Sequence, residues 1–502
     1  MLTYQDLLKI PEDDAKERMN FVRNVISQHK SSDTYEMAVT GSQYNAKRNT
    51  SIMNYQKTLR KLDGREVVDK WSPNHKTARN FFAYFTTQQN QYLLGNGVTW
   101  TEDDTEDKLS TKKYKFDTQL QKAGKKALVQ GESFGFFNLD HLEVFGLTEF
   151  APLYDEENGA LRAGVRFWQV DDTKPLRATF YEENGYTEYI FNERTDIDKF
   201  GFGVKTETGR ILKDKTPYKL KVRSTEADGT EIYDGENYPV FPIVPLWANE
   251  EKQSELVGIQ EQIDAYDLIK NGYLNDLDTA QIYWILKGAG GMDDTDLVRF
   301  LERIHSTKMA SLDDDQSAEA VTVDIPYAAR EQLLNRLEAD LYKDYMALNI
   351  DEIKGGAVTA TQIEAAYEPI NSKADSYEYQ VIQFINGILE IAGIDDEPSF
   401  TRSKLVNVNE SVGTVLQASE ALDSEYVTEK VLNLLGDGDM VEEVLERMEA
   451  DELEMGGIGE EEDFEDDEML EEDLLGEEES AAESGTELED MLAMLEKLLK
   501  EM

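Results

Sequence analysis

Cysteine is absent from the 502 residues, which excludes disulfides, thiolate nucleophiles and zinc-thiolate sites and fits a reducing, intracellular setting. Histidine is nearly absent too. The four present are scattered, so neither His141 nor His305 has the spacing of a catalytic base. No run of about 18 apolar residues exists to cross a membrane. The opening MLTYQDLLKIPEDDAKERM carries acids where a secretory leader needs a basic and then an apolar run, so a soluble, cytosolic chain is expected. No G-x-x-x-x-G-K-[ST] loop, HExxH or EF-hand pattern occurs, and Gly124-Lys125-Lys126 lacks the upstream glycine of a phosphate loop. Gly201-x-Gly203 and Gly288-x-Gly290 lack the third glycine of a dinucleotide fingerprint. No cofactor, no metal site and no enzyme are expected, and Asp313-Asp314-Asp315 reads as a solvated face.

Positive charge is the other shortage. Lys and Arg number 51 against 103 Asp and Glu, a formal charge of -52. Residues 442–502 hold 27 of those acids and three bases, yet the rest of the chain is acidic as well. Proteins that grip DNA displace counterions with clustered bases, and this surface would repel a polyanion. Surplus acid can also serve solubility alone. What the chain does have is apolar material, 40% by composition with 10% aromatics, enough for several folded units.

Hydropathy periods divide the chain. The part up to about Lys126 reads as helical, with Ala78, Phe82, Phe85, Tyr92 and Leu93 near helical spacing before a stop at Leu94-Gly95-Asn96-Gly97. From Leu128 to Trp247 short β-rich runs follow, and Glu183-Asn184-Gly185 predicts a hairpin with a type I′ turn. From Ser254, residues Leu256, Ile259, Ile263, Tyr266, Ile269, Tyr273 and Leu277 mark one helical face. A compact insert comes next, with strand-like QIYWILK and AVTVDI, a turn at Gly288 to Gly291 and a short helix near Leu297 to Ile304. Leu334, Leu337, Leu341, Tyr345 and Leu348 then define a second long helix. After a Gly-Gly loop, Ile363, Tyr367, Ile370, Ala374, Tyr377, Val381, Phe384, Ile388 and Ala392 step by three and four over a third. Pro369 inside it predicts a kink. Aromatics and alanines in that stripe favour a packed core helix over a coiled-coil seam. Short helices are expected over 396–450, a disordered acidic linker over 451–486, and a short amphipathic helix over 487–502.

Gly131-Glu132-Ser133-Phe134-Gly135 matches the G-x-S-x-G nucleophile elbow, whose serine turns from a strand into a helix. Here helix precedes strand, so Ser133 reads as a turn residue and a hydrolase is kept only for comparison.

The order of NHKTARNFFAYFTTQQNQYLLGNGVTW (74–100), PIVPLWANEEKQSELVGIQEQIDAYDLIKNGYLNDLDTAQIYWILKG (242–288) and the Gly-Gly loop before TATQIEAAYEPI (359–370) resembles portal proteins of tailed bacteriophages, the siphovirus-like type of Gram-positive hosts. The resemblance implies an α+β, mainly helical portal fold: wing (1–253), stem helix (254–278), clip (279–326), stem helix (327–348), tunnel loop (349–361), long kinked wing helix (362–395) and crown (396–450). It also implies a homo-oligomeric ring of about twelve subunits at one capsid vertex of the virion, assembled in the host cytoplasm, through which double-stranded DNA is packaged and ejected. Terminase, head-completion or connector proteins, major capsid protein and scaffolding protein are the implied partners. In that setting the negative surface would let DNA slide, and the stem would offer Glu261, Asp264 and Asp267 to the channel. The tunnel loop would present Asn349, Asp351, Glu352, Lys354, Gly355, Gly356 and Thr359, with Lys354 touching phosphates transiently or simply pairing with Glu352 at the surface. The competing expectation is an acidic scaffold or assembly protein that oligomerises without enclosing DNA.

Overall fold

The computed structural model describes residues 2–60, 64–70, 72–102, 104–171, 173–197, 203–225, 231–278, 282–287, 317–322, 327–350, 360–403 and 423–435, with single residues or pairs between 295 and 299 and between 415 and 448. Two units divide the chain at Leu405 and Val406. In the second, the helix Ser424–Leu435 is the longest described element.

The first unit begins with helices, as their spacing requires: α1 (Tyr4–Leu8), α2 (Ala15–Lys30), α3 (Asp33–Asn45), α4 (Thr50–Asn54), α5 (Phe81–Leu94), α6 (Thr105–Leu109) and α7 (Phe116–Gln130). Asp14 caps α2 by accepting the Glu17 amide, and Ser32 caps α3 by accepting that of Tyr35. A small hairpin, β1 (Thr58–Arg60) with β2 (Glu66–Val68), lies between α4 and α5. Helix α5 stops at the foreseen Leu94-Gly95, and Gly97 takes a positive φ of 80°.

Gly131, at φ 91°, turns α7 into β3 (Glu132–Asn138). That strand is the centre of a three-stranded antiparallel sheet with β4 (His141–Gly146) and β12 (Ile243–Trp247). A second, five-stranded meander holds β5 (Phe150–Tyr154), β6 (Leu161–Trp168), β7 (Leu176–Glu182), β8 (Gly185–Ile197) and β9 (Gly203–Thr216), while β10 (Lys219–Thr225) pairs with β11 (Glu231–Glu236). Strand alternation sorts the side chains into layers. Phe150 and Tyr181 point to the core shared with Phe134 and Phe136, whereas Ala151 and Phe180 face Phe21, Val22, Val25 and Ile26 of α2. The hairpin between β7 and β8 is where the sequence put it, but its turn differs. Glu182 pairs with Gly185, so Glu183 and Asn184 form the turn, and the positive φ, 128°, falls on Gly185.

After β12 come α8 (Gln260–Asp278), a strand pair β13 (Ile282–Lys287) and β14 (Ser317–Thr322), α9 (Tyr327–Tyr345) and the 33-residue α10 (Ala360–Ala392), which runs through Pro369. The second strand of the insert starts three residues earlier than AVTVDI suggested. The expected Gly288 to Gly291 turn, nearly all of the helix near Leu297 to Ile304, and residues 451–502, where the acidic linker and the terminal amphipathic helix were expected, lie outside the described residues. Helix α10 seats Tyr377, Val381, Phe384, Ile385 and Ile388 in the main core. A Cβ on Gly135 would lie 2.5 Å from the Phe384 ring, so glycine there lets the helix close on the sheet.

Candidate functional site

Helices α8 and α9 pack antiparallel. Gln262 bonds Asp344 near one end, Tyr266 Oη donates to Glu338 at 3.3 Å, and Arg330 pairs with Asp276 at 2.6 Å at the other. Their apolar faces meet α5: the Phe81 and Tyr266 rings stand edge to face at 5.0 Å, and Phe85 stacks on Tyr345 at 4.9 Å. At about 1.5 Å per residue each helix is roughly 28 Å long.

The opposite side of α8 does not simply face solvent. Glu261 is exposed. Asp264 accepts a 2.5 Å hydrogen bond from Tyr44 Oη. Asp267 is 0% exposed, taking the Arg79 backbone N–H at 2.8 Å and Asn49 Nδ2 at 2.5 Å. Burial pushes its carboxyl above the usual range, against the pull of those two donors. The three acids expected on a channel wall thus sit in three different settings. Asp267 is turned into the subunit and Asp264 is engaged by α3; Glu261 keeps a carboxylate free to face outward.

Asp267 belongs to a ladder that sequence reasoning missed. Asn271 Oδ1 accepts the Thr77 N–H at 2.7 Å while its Nδ2 donates to the Thr77 carbonyl at 2.8 Å, and Asn275 Oδ1 accepts the His75 N–H at 2.7 Å. Short polar residues at i, i+4 and i+8 thus strap an extended segment, residues 75, 77 and 79, along the helix. The row Asp267, Asn271, Asn275 was the available signal.

Where α9 ends, the chain is clamped. Gln88 donates to the Leu348 carbonyl and accepts its N–H, both at 3.0 Å. Lys373 of α10 donates to the Tyr345 carbonyl at 3.0 Å, lies 3.5 Å above the Tyr345 ring centroid and pairs with Glu255 at 2.6 Å. This knot fixes the chain just after α9. Asn349 is half-buried just beyond it. Asp351, Glu352, Lys354, Gly355, Gly356 and Thr359 lie outside the described residues.

Ser133 is not the turn residue that the helix-then-strand order suggested. It is the second residue of β3, 0% exposed, with Oγ donating to the Ala123 carbonyl at 2.8 Å. His141 stacks on Tyr114 at 4.5 Å beside Asp140, and His305 is outside the described residues. Among the described residues no three acid or imidazole side chains converge as a metal site requires, and no helix is long and apolar enough to cross a membrane.

The family described as phage portal protein, SPP1 Gp6-like, matches residues 24–454. A portal protein of Bacillus phage SPP1 is 24% identical over 387 residues, 70% of this chain and 72% of that protein. A portal protein of Clostridium phage phiCD119 is 27% identical over 280 residues, 53% of this chain and 57% of that one. Among solved structures, the neck of an empty GTA particle aligns over 71% of this chain and 90% of its own, with a TM-score of 0.38 and 10% identity. A phage portal protein of the HK97 family from Corynebacterium diphtheriae aligns over 63% and 91%, with a TM-score of 0.32 and 8% identity.

Proposed function

The chain belongs to the SPP1 Gp6-like phage portal proteins, structural components of the phage particle, and on that premise we propose that about twelve copies close into a ring at one capsid vertex and pass double-stranded DNA inward during packaging and outward at ejection. The carrying observation is the antiparallel pair α8 and α9, cross-tied from Gln262–Asp344 to Arg330–Asp276, which brackets the β13–β14 module and ends at the clamp on Leu348, just before residues 349–361.

In this reading the helix pair is the stem, 279–326 the clip that docks terminase and then head-completion proteins, and the residues before α8 together with α10 the wing, with the crown over 396–450. Glu261 faces the passing duplex. A wall poor in cations holds DNA weakly everywhere, because each added phosphate contact deepens a well along the track. Lys354 makes the transient, sequence-independent phosphate contact, and Gly355 and Gly356 allow the loop to shift.

Light scattering and negative-stain images of purified protein test the ring. Closed particles of about twelve subunits with a central opening support it; dimers or trimers without an opening favour a scaffold role. For the loop, Lys354→Ala should lower the DNA filling of capsids and change its salt dependence. Unchanged filling at every salt concentration removes Lys354 from the mechanism.

A further inference from the structure

Residues 47–79 hold nine Lys and Arg against three Asp and Glu, in a chain of formal charge -52. The described ones, 47–60, 64–70 and 72–79, form one excursion whose legs are stitched together. Asn49 Nδ2 donates to the Arg79 carbonyl at 3.2 Å, Lys76 Nζ to that of Met53 at 2.6 Å, and the Asp69 N–H to that of Lys57 at 2.8 Å. Strands β1 and β2 continue the pairing outward. The root of this arm is the strap on α8. Because Arg79 sits at Asp267 and His75 at Asn275 and Asp278, the arm leaves the helix at its Asp278 end, where the insert 279–326 begins.

Some of its charge is already used, since Arg79 pairs with Glu338 at 3.3 Å. Lys47, Arg48 and Lys70 are exposed and Lys57 half-exposed, and among the described residues no carboxylate lies on them. We propose that this arm is an assembly contact, seated on the acidic surface of a second copy of the chain. The inference rests on the ring reading and names the partner of the arm within it.

Identical subunits of charge -52 repel one another, and a head-to-tail ring brings two different surfaces of the chain together at every joint. A basic arm meeting an acidic face turns that joint from repulsive to attractive and fixes its register. The strap holds the arm before contact is made, so little ordering is left for association. A duplex has the weaker claim, since it would meet the field of the whole acidic subunit as it approached.

The test is the variant Lys47→Glu/Arg48→Glu/Lys57→Glu/Lys70→Glu, compared with the same charge change at the exposed Lys112, Lys113, Lys115 and Lys122. Mass photometry against concentration should show the arm variant needing at least about tenfold more protein for half-assembly, with the control near wild type. In a mixture of light and 15N-labelled wild type, carbodiimide cross-links from Lys47, Lys57 or Lys70 should join carboxylates of different copies, a readout that does not depend on the variant folding. Wild-type protein that never assembles overturns the ring reading and the arm's role with it. Rings equally stable in wild type and arm variant, equal loss in the control, or cross-links confined to single copies overturn the arm contact alone. Binding of a labelled duplex that the arm variant loses would give the arm to nucleic acid instead.

Discussion

Glu132, the first residue of β3, is buried with its Oε1 accepting from the Tyr154 hydroxyl and, at 2.8 Å, from Trp247 Nε1. Burial pushes its carboxyl up from 4.5 to about 7, opposed by the Trp247 bond and the charge of Lys252, whose Nζ lies 4.0 Å from the Trp247 ring centroid. A carboxyl raised on folding is protonated more readily in the native chain than in the unfolded one. Stability tied to this group is therefore full at low pH, falls as pH rises from about 4.5 to about 7, and levels off above. A rise from 4.5 to about 7 corresponds to about 3 kcal/mol. Glu132→Gln keeps an oxygen for both donors and cannot ionise, so it should match wild type near pH 4.5 and be more stable by about 1–3 kcal/mol at pH 8. Thermal midpoints of both proteins across that range give the difference curve, in which all other titrating groups cancel. Parallel curves for the two proteins would refute the reasoning.

Lys125 donates to the Ala83 carbonyl at 3.1 Å and to the Thr86 and Thr87 hydroxyls at 2.6 and 2.7 Å, all neutral acceptors, and burial lowers its ammonium from 10.5 to about 8. The unfolded chain holds that proton more tightly, so stability should rise between about pH 8 and 10.5; Lys125→Met should flatten that rise in a urea-midpoint series. Lys373→Met strands the Glu255 carboxylate, whose side chain is only 12% exposed, and the Tyr345 carbonyl, and should cost about 3–5 kcal/mol. Adding Glu255→Gln should restore part of the loss, and a double variant no better than the single one would remove the ion pair from the argument.

Elements whose spacing encodes a buried face were legible. Ile263 with Tyr266, Leu341 with Tyr345, and Tyr377 with Val381 and Phe384 step by three or four residues, and each set lies in a core. Polar positions were not, because a carboxylate reads the same whether water or a distant donor covers it. Tyr44 is 220 residues from Asp264, and Arg79 is 188 from Asp267, so no local pattern separates these acids from the exposed Glu261. Asn184-Gly185 shows a similar limit. Its composition placed the hairpin, but pairing through Gly185 moved the left-handed residue out of the turn.

The strap on α8 carries its own length limit. Helix residues four apart rise about 6.0 Å, and extended residues two apart about 6.6 Å. Three rungs accumulate roughly 1.2 Å of mismatch, within the tolerance of hydrogen bonds; each further rung would add to it. The sequence ends the ladder where geometry would. Below His75 the next donor position is Pro73, which has no N–H, and above Arg79 the next pair is Phe81 with Ile263, both in the hydrophobic core. The middle rung should therefore bear most of the load. Asn271 is buried and serves both the N–H and the carbonyl of Thr77, so Asn271→Ala should cost about 2–4 kcal/mol, more than Asn275→Ala at the end beside Pro73. Hydrogen exchange at Thr77 should speed up in the first variant and change less in the second. If Asn275→Ala proves the more damaging, or Thr77 stays protected without Asn271, the segment is held by something other than this ladder.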